Sequence, residues 1–372
     1  MRVAIVNPVW DPRTSTAAGT LDRFRSLTGW ADAIRAAGVA DVDVFQRFDR
    51  PASIERERVS YRFVADGRQP RPADWYSGST LCAAVAVVAP DVVHVNGLGY
   101  PRLIRSLRRR LPPSAAVIVQ DHGGFDPVTL PAWRKAWMRR GMQSADALLV
   151  ATKELRDVFV ASRLAPATLQ VLDVMEASTS LRADRDVARP EGLSLLFVGR
   201  LNTNKDPLTV LEGFTRFLAR RPDSRIVFVY DNNELESAIK SKLAADAALA
   251  SKVTLLGHVP HEALSSIYSR ADLFVLGSRR EGSGYAALEA MACGVIPVLT
   301  DIPSFRGMTD GGRLGALWQP GDSASLVDAL VRVTSSGLQP QRDAVQAHFE
   351  RCLSWPAIGR RAVEIYRELS RT

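Results

Sequence analysis

Short apolar segments alternate with amphipathic helical stretches from one end of the chain to the other, and the alternation stops and restarts once. RVAIVN, VDVFQR, DVVHVNG, AAVIVQDHGG and DALLVAT read as strands, with helical patterns over 19–37, 75–88, 101–110 and 131–143 between them. Such alternation predicts a parallel sheet covered by helices on both faces. Around 174–192 the chain turns polar, carries Pro190 and Gly192 and loses its period, which reads as a linker. LSLLFVGR, SRIVFVY, KVTLLGHV, ADLFVLGS and GVIPVLT then resume the pattern, with helices at about 207–221, 234–248, 261–270 and 285–292. Two successive doubly wound α/β domains are therefore expected, with the site where the carboxyl ends of their sheets face each other. A chain of 372 residues, beyond the usual limit of one core, agrees. In the closing SWPAIGRRAVEIYRELSRT, Ile358, Ala362, Ile365 and Leu369 recur at helical spacing and predict a terminal helix.

Composition narrows the class. With 46% hydrophobic and 24% charged residues and no low-complexity tract, disorder is excluded, and no short-period repeat is present. The opening MRVAIVNPVW enters a core strand directly, which argues against a signal peptide. The longest apolar run, LCAAVAVVAPDVVHV, is broken by Pro90 and Asp91 and is too short to span a bilayer. Cys82, Cys293 and Cys352 lack metal-type spacing and read as free thiols in a reducing compartment, so a cytoplasmic location is expected. The net charge of +8 fits anionic small molecules or a membrane surface. Nucleic acid is not expected, because no reader motif and no basic stripe interleaved with aromatics is present.

The stretch REGSGYAALEAMACG, residues 280–294, carries the chemistry. Gly282 and Gly284 after a strand let the backbone turn sharply toward a ligand, and the helix that follows offers free amides and a positive dipole end. Glu281 in the turn and Glu289 inside the helix can flank that ligand, and a carboxylate is a strong acceptor for sugar hydroxyls. Either glutamate alone also fits a solvated or helix-stabilising position. Glu289, however, is the anomalous charge in a core-like segment and needs partners. Upstream, LLFVGRLNTNKDP sets Gly199, Arg200 and Lys205 just past a strand end, where two cations can converge on a diphosphate.

With VGRL…K followed by EGSGYAALEAMACGVIPVLTD, and GALWQPGD after it, the chain resembles the retaining GT-B glycosyltransferases of family 4 (glycosyltransferase group 1) over most of its length. The resemblance implies an α/β GT-B fold of two Rossmann-like doubly wound domains facing across a cleft. An acceptor-side domain would span 1–185 and a nucleotide-sugar domain 186–352, with a helix at 353–372 crossing back to the N-terminal domain. It implies that Arg200 and Lys205 neutralise the donor diphosphate and that Glu289 holds ribose hydroxyls. Glu281, Gly282, Ser283, Gly284 and Tyr285 would hold the donor sugar. His258 in LLGHV stands where the family contacts the base, or is an exposed loop histidine. Gly19, preceded by Ala18, loosely matches the glycine loop that approaches the diphosphate and acceptor.

In the first domain, AAVIVQDHGG ends a strand on Asp121, His122, Gly123 and Gly124, and His122 matches the family histidine beside donor sugar and acceptor. His94, alternating inward between valines, reads as structural. The family's Asn-Gly-Val segment is missing from VLDVMEASTS, Gly307 replaces a common glutamate, and Ser283 stands where an aromatic residue is frequent. These departures bear on which sugar is used.

The implied activity is retaining transfer of a sugar from a nucleotide diphosphate sugar, UDP-sugar first and GDP-sugar next, to a hydroxyl-bearing or other nucleophilic small molecule or saccharide. His122, Glu281, Arg200 and Lys205 form the catalytic set. No cofactor or metal is expected to be required, since no His/Cys cluster that would hold one is present. The other readings are a different GT-B enzyme, such as a sugar epimerase or phosphorylase, and a non-catalytic sugar-nucleotide binding protein. PAWRKAWMRRGMQSAD, residues 131–146, reads either as a helix resting on an anionic membrane or as a solvated basic face with its tryptophans in the core.

Overall fold

The computed structural model describes residues 1–66, 75–123, 126–184 and 186–370. The chain divides into two compact units, Met1–Ser178 with Trp355–Thr372, and Thr179–Ser354.

The first unit is built on eight strands: β1 Arg2–Asn7, β2 Asp41–Phe48, β3 Ala52–Arg56, β4 Val59–Ala65, β5 Val92–Asn96, β6 Ala116–Gln120, β7 Ala147–Val150 and β8 Gln170–Asp173. Their order is β3-β4-β2-β1-β5-β6-β7-β8, parallel except for β3, which pairs antiparallel with β4. Winding runs outward both ways from β1, so its switch point lies between β1 and β5. The 19–37 helix is two helices, Ala17–Arg23 and Arg25–Ala36, divided at Phe24, whose ψ of 57° leaves the helical region.

The terminal helix, Trp355–Leu369, packs on Arg25–Ala36 within this unit. Two glycines set the closeness of that packing. A Cβ on Gly359 would lie 2.3 Å from Ala33 O, and one on Gly29 would lie 2.3 Å from the Trp355 ring. Tyr366 then reaches the sheet: its hydroxyl accepts from Trp30 Nε1 at 2.9 Å and bonds His94 Nδ1. His94 Nε2 lies 3.1 Å from Gln120 Oε1. Burial, aided by the charge of His122 and opposed by Gln120, pushes His94 down to about 3, so it is a neutral structural group.

The second unit has six strands: β9 Ser194–Val198, β10 Arg225–Val229, β11 Val253–Gly257, β12 Leu273–Leu276, β13 Ile296–Thr300 and β14 Ala316–Trp318. They run parallel in the order β11-β10-β9-β12-β13-β14, with the switch point between β9 and β12. Between the expected domains, the polar stretch is shared out. Residues through Ser178 stay with the first unit. Beyond it, the Asp184 amide donates to Ser269 Oγ at 2.7 Å, Ser265 Oγ donates to Arg182 O, and Arg182 pairs with Glu350 at 3.4 Å. These bonds tie the rest of the stretch to the second unit. Among the described residues, no helix is long and apolar enough to cross a membrane.

Candidate active site

Strand order brings two loops together in the second unit. After β9, the Lys205 amide donates to Asn202 Oδ1 at 3.0 Å, and the Lys205 side chain turns to Glu281, which follows β12. Lys205 Nζ and Glu281 Oε1 form an ion pair whose two side chains are each only 13% exposed. The loops are stitched beside it. Arg279 N donates to Asn204 O at 2.8 Å, Asn204 Nδ2 to Arg280 O at 3.1 Å, and the Arg279 guanidinium to Asp206 Oδ2 at 2.8 Å. Gly277 permits the approach, because a Cβ there would lie 2.9 Å from Asp206 O and 3.0 Å from Lys205 O. Arg200 is exposed at the start of the same loop. The ion pair thus stands at the carboxyl ends of the two switch-point strands, the position where open parallel sheets take ligands.

Gly282, Ser283 and Gly284 lead from Glu281 into the helix Tyr285–Ala292. Gly284 adopts φ +63°, and a Cβ on it would lie 2.8 Å from the Phe305 ring. Glycine is therefore demanded twice at this turn. Ser283 is buried and Tyr285 exposed. The N-cap residue, Gly284, brings no side-chain cap, and the positive dipole end of the helix lies next to the turn that carries Glu281.

Glu289 is 8% exposed within the same helix. Tyr268 donates its hydroxyl to Glu289 Oε2 at 2.9 Å, and His261 Nε2 lies 3.2 Å from Oε1. Burial and the Glu289 charge hold the Tyr268 phenol well above its ordinary value, so it stays a donor. His258 is exposed just after β11; the histidine of that loop that reaches Glu289 is His261.

In the first unit, Asp121, His122 and Gly123 follow β6 directly. Asp121 is buried and accepts from the Gly123 amide at 3.1 Å, with Gly123 at φ +67°. His122, 28% exposed, points Nδ1 at Glu176 Oε2, 2.7 Å away. Burial and the Glu176 carboxylate push Asp121 up to about 7, against the Gly123 amide and His122. Burial alone would lower His122, but Glu176 and, less strongly, Asp121 outweigh it and raise it above its ordinary value. Gly19 lies in the first turn of Ala17–Arg23, and its amide is taken up by the capping Thr16 Oγ1 at 3.0 Å. Gly124 falls outside the described residues.

The family model described as "Glycosyl transferases group 1" matches residues 184–348, and "Glycosyltransferase Family 4" matches residues 25–172. The chain belongs to the family 4, group 1 glycosyltransferases. This glycosyltransferase is 29% identical to a GDP-mannose:cellobiosyl-diphosphopolyprenol alpha-mannosyltransferase of Xanthomonas campestris, over 76% of this chain and 75% of the relative. It is 26% identical to a D-inositol 3-phosphate glycosyltransferase of Corynebacterium jeikeium, over 99% and 97% of the two chains. Its fold matches the solved sucrose-phosphate synthase of Thermosynechococcus elongatus with a TM-score of 0.73 at 20% identity, over 99% of each chain. The glycosyltransferase therefore has the GT-B fold.

Three of this glycosyltransferase's site groups escape sequence reasoning. Tyr268 and His261 belong to elements remote in sequence from Glu289, and neither stands out from its neighbours. Glu176 lies in the stretch read as linker, although as the one carboxylate among VMEASTS it offered a signal.

Proposed function

We propose that this enzyme transfers a sugar from a nucleoside diphosphate sugar, with retention and without a metal, to a hydroxyl-bearing or other nucleophilic small molecule or saccharide in the cytoplasm. The observation that carries the proposal is the Lys205–Glu281 pair at the β9/β12 switch point, next to the glycine-led start of Tyr285–Ala292. Arg200, Lys205 and the helix amides would take the diphosphate charge, Glu289 the ribose hydroxyls, and Glu281 with the 282–285 turn the sugar. His122 would meet sugar or acceptor hydroxyls. In the step proposed, the bond from anomeric carbon to phosphate oxygen breaks as the acceptor oxygen bonds that carbon on the same face. The acceptor proton passes to the departing diphosphate oxygen, and stabilising the charge on that oxygen is the main electrostatic contribution.

The Xanthomonas relative has GDP-mannose in its name, which sets GDP-sugars beside UDP-sugars as the first donors to test. At a ligand concentration of about 100 times Kd, a matching nucleotide should add about 2.7 kcal/mol of stability. That raises Tm by about 5–10 °C for a domain of this size. A thermal-shift panel of UDP, GDP and ADP with their sugars checks this, and the product's anomeric coupling in proton NMR checks retention. A panel with no shift would sink the donor assignment.

We also propose peripheral contact with an anionic membrane through 131–146. Of the helix Ala132–Met142, Met138, Gly141 and Met142 face the core, while Trp133 is 69% exposed. That exposure removes the alternative in which both tryptophans are core residues. Arg102 lies over Trp75 at 4.5 Å and Trp137 at 5.7 Å, joining the helix Pro101–Arg108 to the same surface. Residues 101–110 carry five arginines, residues 132–142 carry four Arg or Lys, and neither stretch holds an Asp or Glu. Each cation near an anionic surface contributes about 1 kcal/mol. The protein should co-float with phosphatidylglycerol vesicles at low salt and be released at about 1 M salt, where screening falls to about 3 Å. No flotation at low salt would refute the contact.

A further inference from the structure

The segment following β8, where the family's usual Asn-Gly-Val is replaced, delivers one buried carboxylate to the end of β6. Glu176 has its side chain 5% exposed and Oε2 2.7 Å from His122 Nδ1, an ion-pair contact whose alignment falls outside hydrogen-bond geometry. The other imidazole nitrogen, Nε2, is buried without a hydrogen-bond partner among the described residues. A carboxylate this close to one imidazole nitrogen favours the proton on that side and orients the ring, leaving the other nitrogen to a ligand. A buried polar atom with no partner is costly, on the order of 1–3 kcal/mol, unless a ligand completes it. Asp121, whose Oδ2 accepts from the Gly123 amide, acts on His122 less strongly and through its charge alone.

We propose that Glu176 is the positioning residue for His122, its carboxylate paired with the Nδ1 side of the ring so that Nε2 is presented to a hydroxyl of the sugar or acceptor. The groups facing His122 are Glu176, Asp121 and, from β5, His94. Of these, His94 is engaged at both nitrogens by Tyr366 and Gln120. The cationic form of His122 is therefore sustained chiefly by Glu176, with Asp121 second. In that form Nε2–H donates to a substrate oxygen. Glu176 itself touches no substrate and acts through the imidazole.

For its kinetic arm the proposal rests on the role given to His122 above; its spectroscopic arm does not. In the full-length protein labelled at its five histidines, with His122→Ala used to assign the resonance, Glu176→Gln should lower the pKa of His122 measured by NMR. An unchanged His122 titration would overturn the proposal even if no donor had been found. With a donor in hand, Glu176→Gln should lower kcat by about 100-fold, the lower end of what a positioned proton-bearing group contributes. KM for the donor should change little. The limb on which activity falls as His122 loses its proton should move to lower pH. In the His122→Ala background the same change should cause no further loss; an equal loss there would mark Glu176 as merely structural. Should Glu176→Gln not fold, Glu176→Asp keeps the charge with a shorter reach and should give a smaller change of the same sign in both readouts.

Discussion

Lys205→Ala is expected to lower kcat by about 10²–10³-fold, the range associated with removing one preorganised group that stabilises transition-state charge. Lys205 is engaged by Glu281, with both side chains largely excluded from water. The pair is held by loops stitched through Arg279, Asn204 and Asp206, so the ammonium is positioned by the protein itself. A diphosphate entering there would share the cation with Glu281, and charge developing on the leaving oxygen would strengthen its hold. The substitution also strands the Glu281 carboxylate. Breaking a fully buried pair costs about 3–5 kcal/mol, and the residual 13% exposure of these side chains makes the loss smaller here. Stability and chemistry separate in the double variant Lys205→Ala/Glu281→Gln. Removing the stranded charge should recover most of the Tm while turnover stays low. If folded Lys205→Ala kept kcat within about threefold of the parent, far short of the loss expected of a leaving-group cation, the pair would be structural alone.

That pairing marks the limit of what the chain discloses unaided. β5, β6, β12 and β13 are legible because strands covered on both faces are apolar throughout, and their buried residues match the runs VVHV, AVIV, LFVL and IPVL. The hairpin β3–β4 is not legible. β3 is an exposed edge strand, and its turn places Glu57 and Arg58 at positive φ without the glycine or asparagine that ordinarily signals such a turn. β14, three residues long, shows no period. In the site, Glu289 was conspicuous as a charge in an apolar segment, and its burial follows from that pattern. Its partners Tyr268 and His261 are not legible, because they stand on elements before β12 that only the fold sets beside this helix. The Lys205–Glu281 pair is hidden for a related reason, since it depends on strand order: β9 beside β12 joins the two across 76 residues. Likewise β8 at the edge beyond β7 brings Glu176 back to His122, and no local spacing encodes that return.

Glu289→Gln is expected to weaken nucleotide binding by about 100-fold or more, since hydrogen bonds to a charged acceptor are worth about 1.5–3 kcal/mol each and a ribose offers two donors. Glutamine keeps the shape, and one of its atoms can still accept from the Tyr268 hydroxyl, so Tm of the ligand-free protein should barely move. Glu289→Ala differs in kind. It takes the charged acceptor from the buried Tyr268 hydroxyl, which keeps the Ala286 carbonyl at 3.2 Å; the lost bond is worth about 1.5–3 kcal/mol, less what the carbonyl recovers, so Tm should fall along with affinity. His261, at 3.2 Å from Oε1, would have to share that oxygen with the ribose. His261→Ala should therefore alter donor affinity far less than Glu289→Gln does. Ribose recognition has a sharper signature than affinity alone. The parent should discriminate strongly against the 2′- and 3′-deoxy forms of its nucleotide, whereas Glu289→Gln, already lacking the charged acceptor, should bind ribo and deoxy forms nearly alike. Equal discrimination in the two proteins, measured by calorimetry, would remove Glu289 from the ribose and leave it as a buried structural charge.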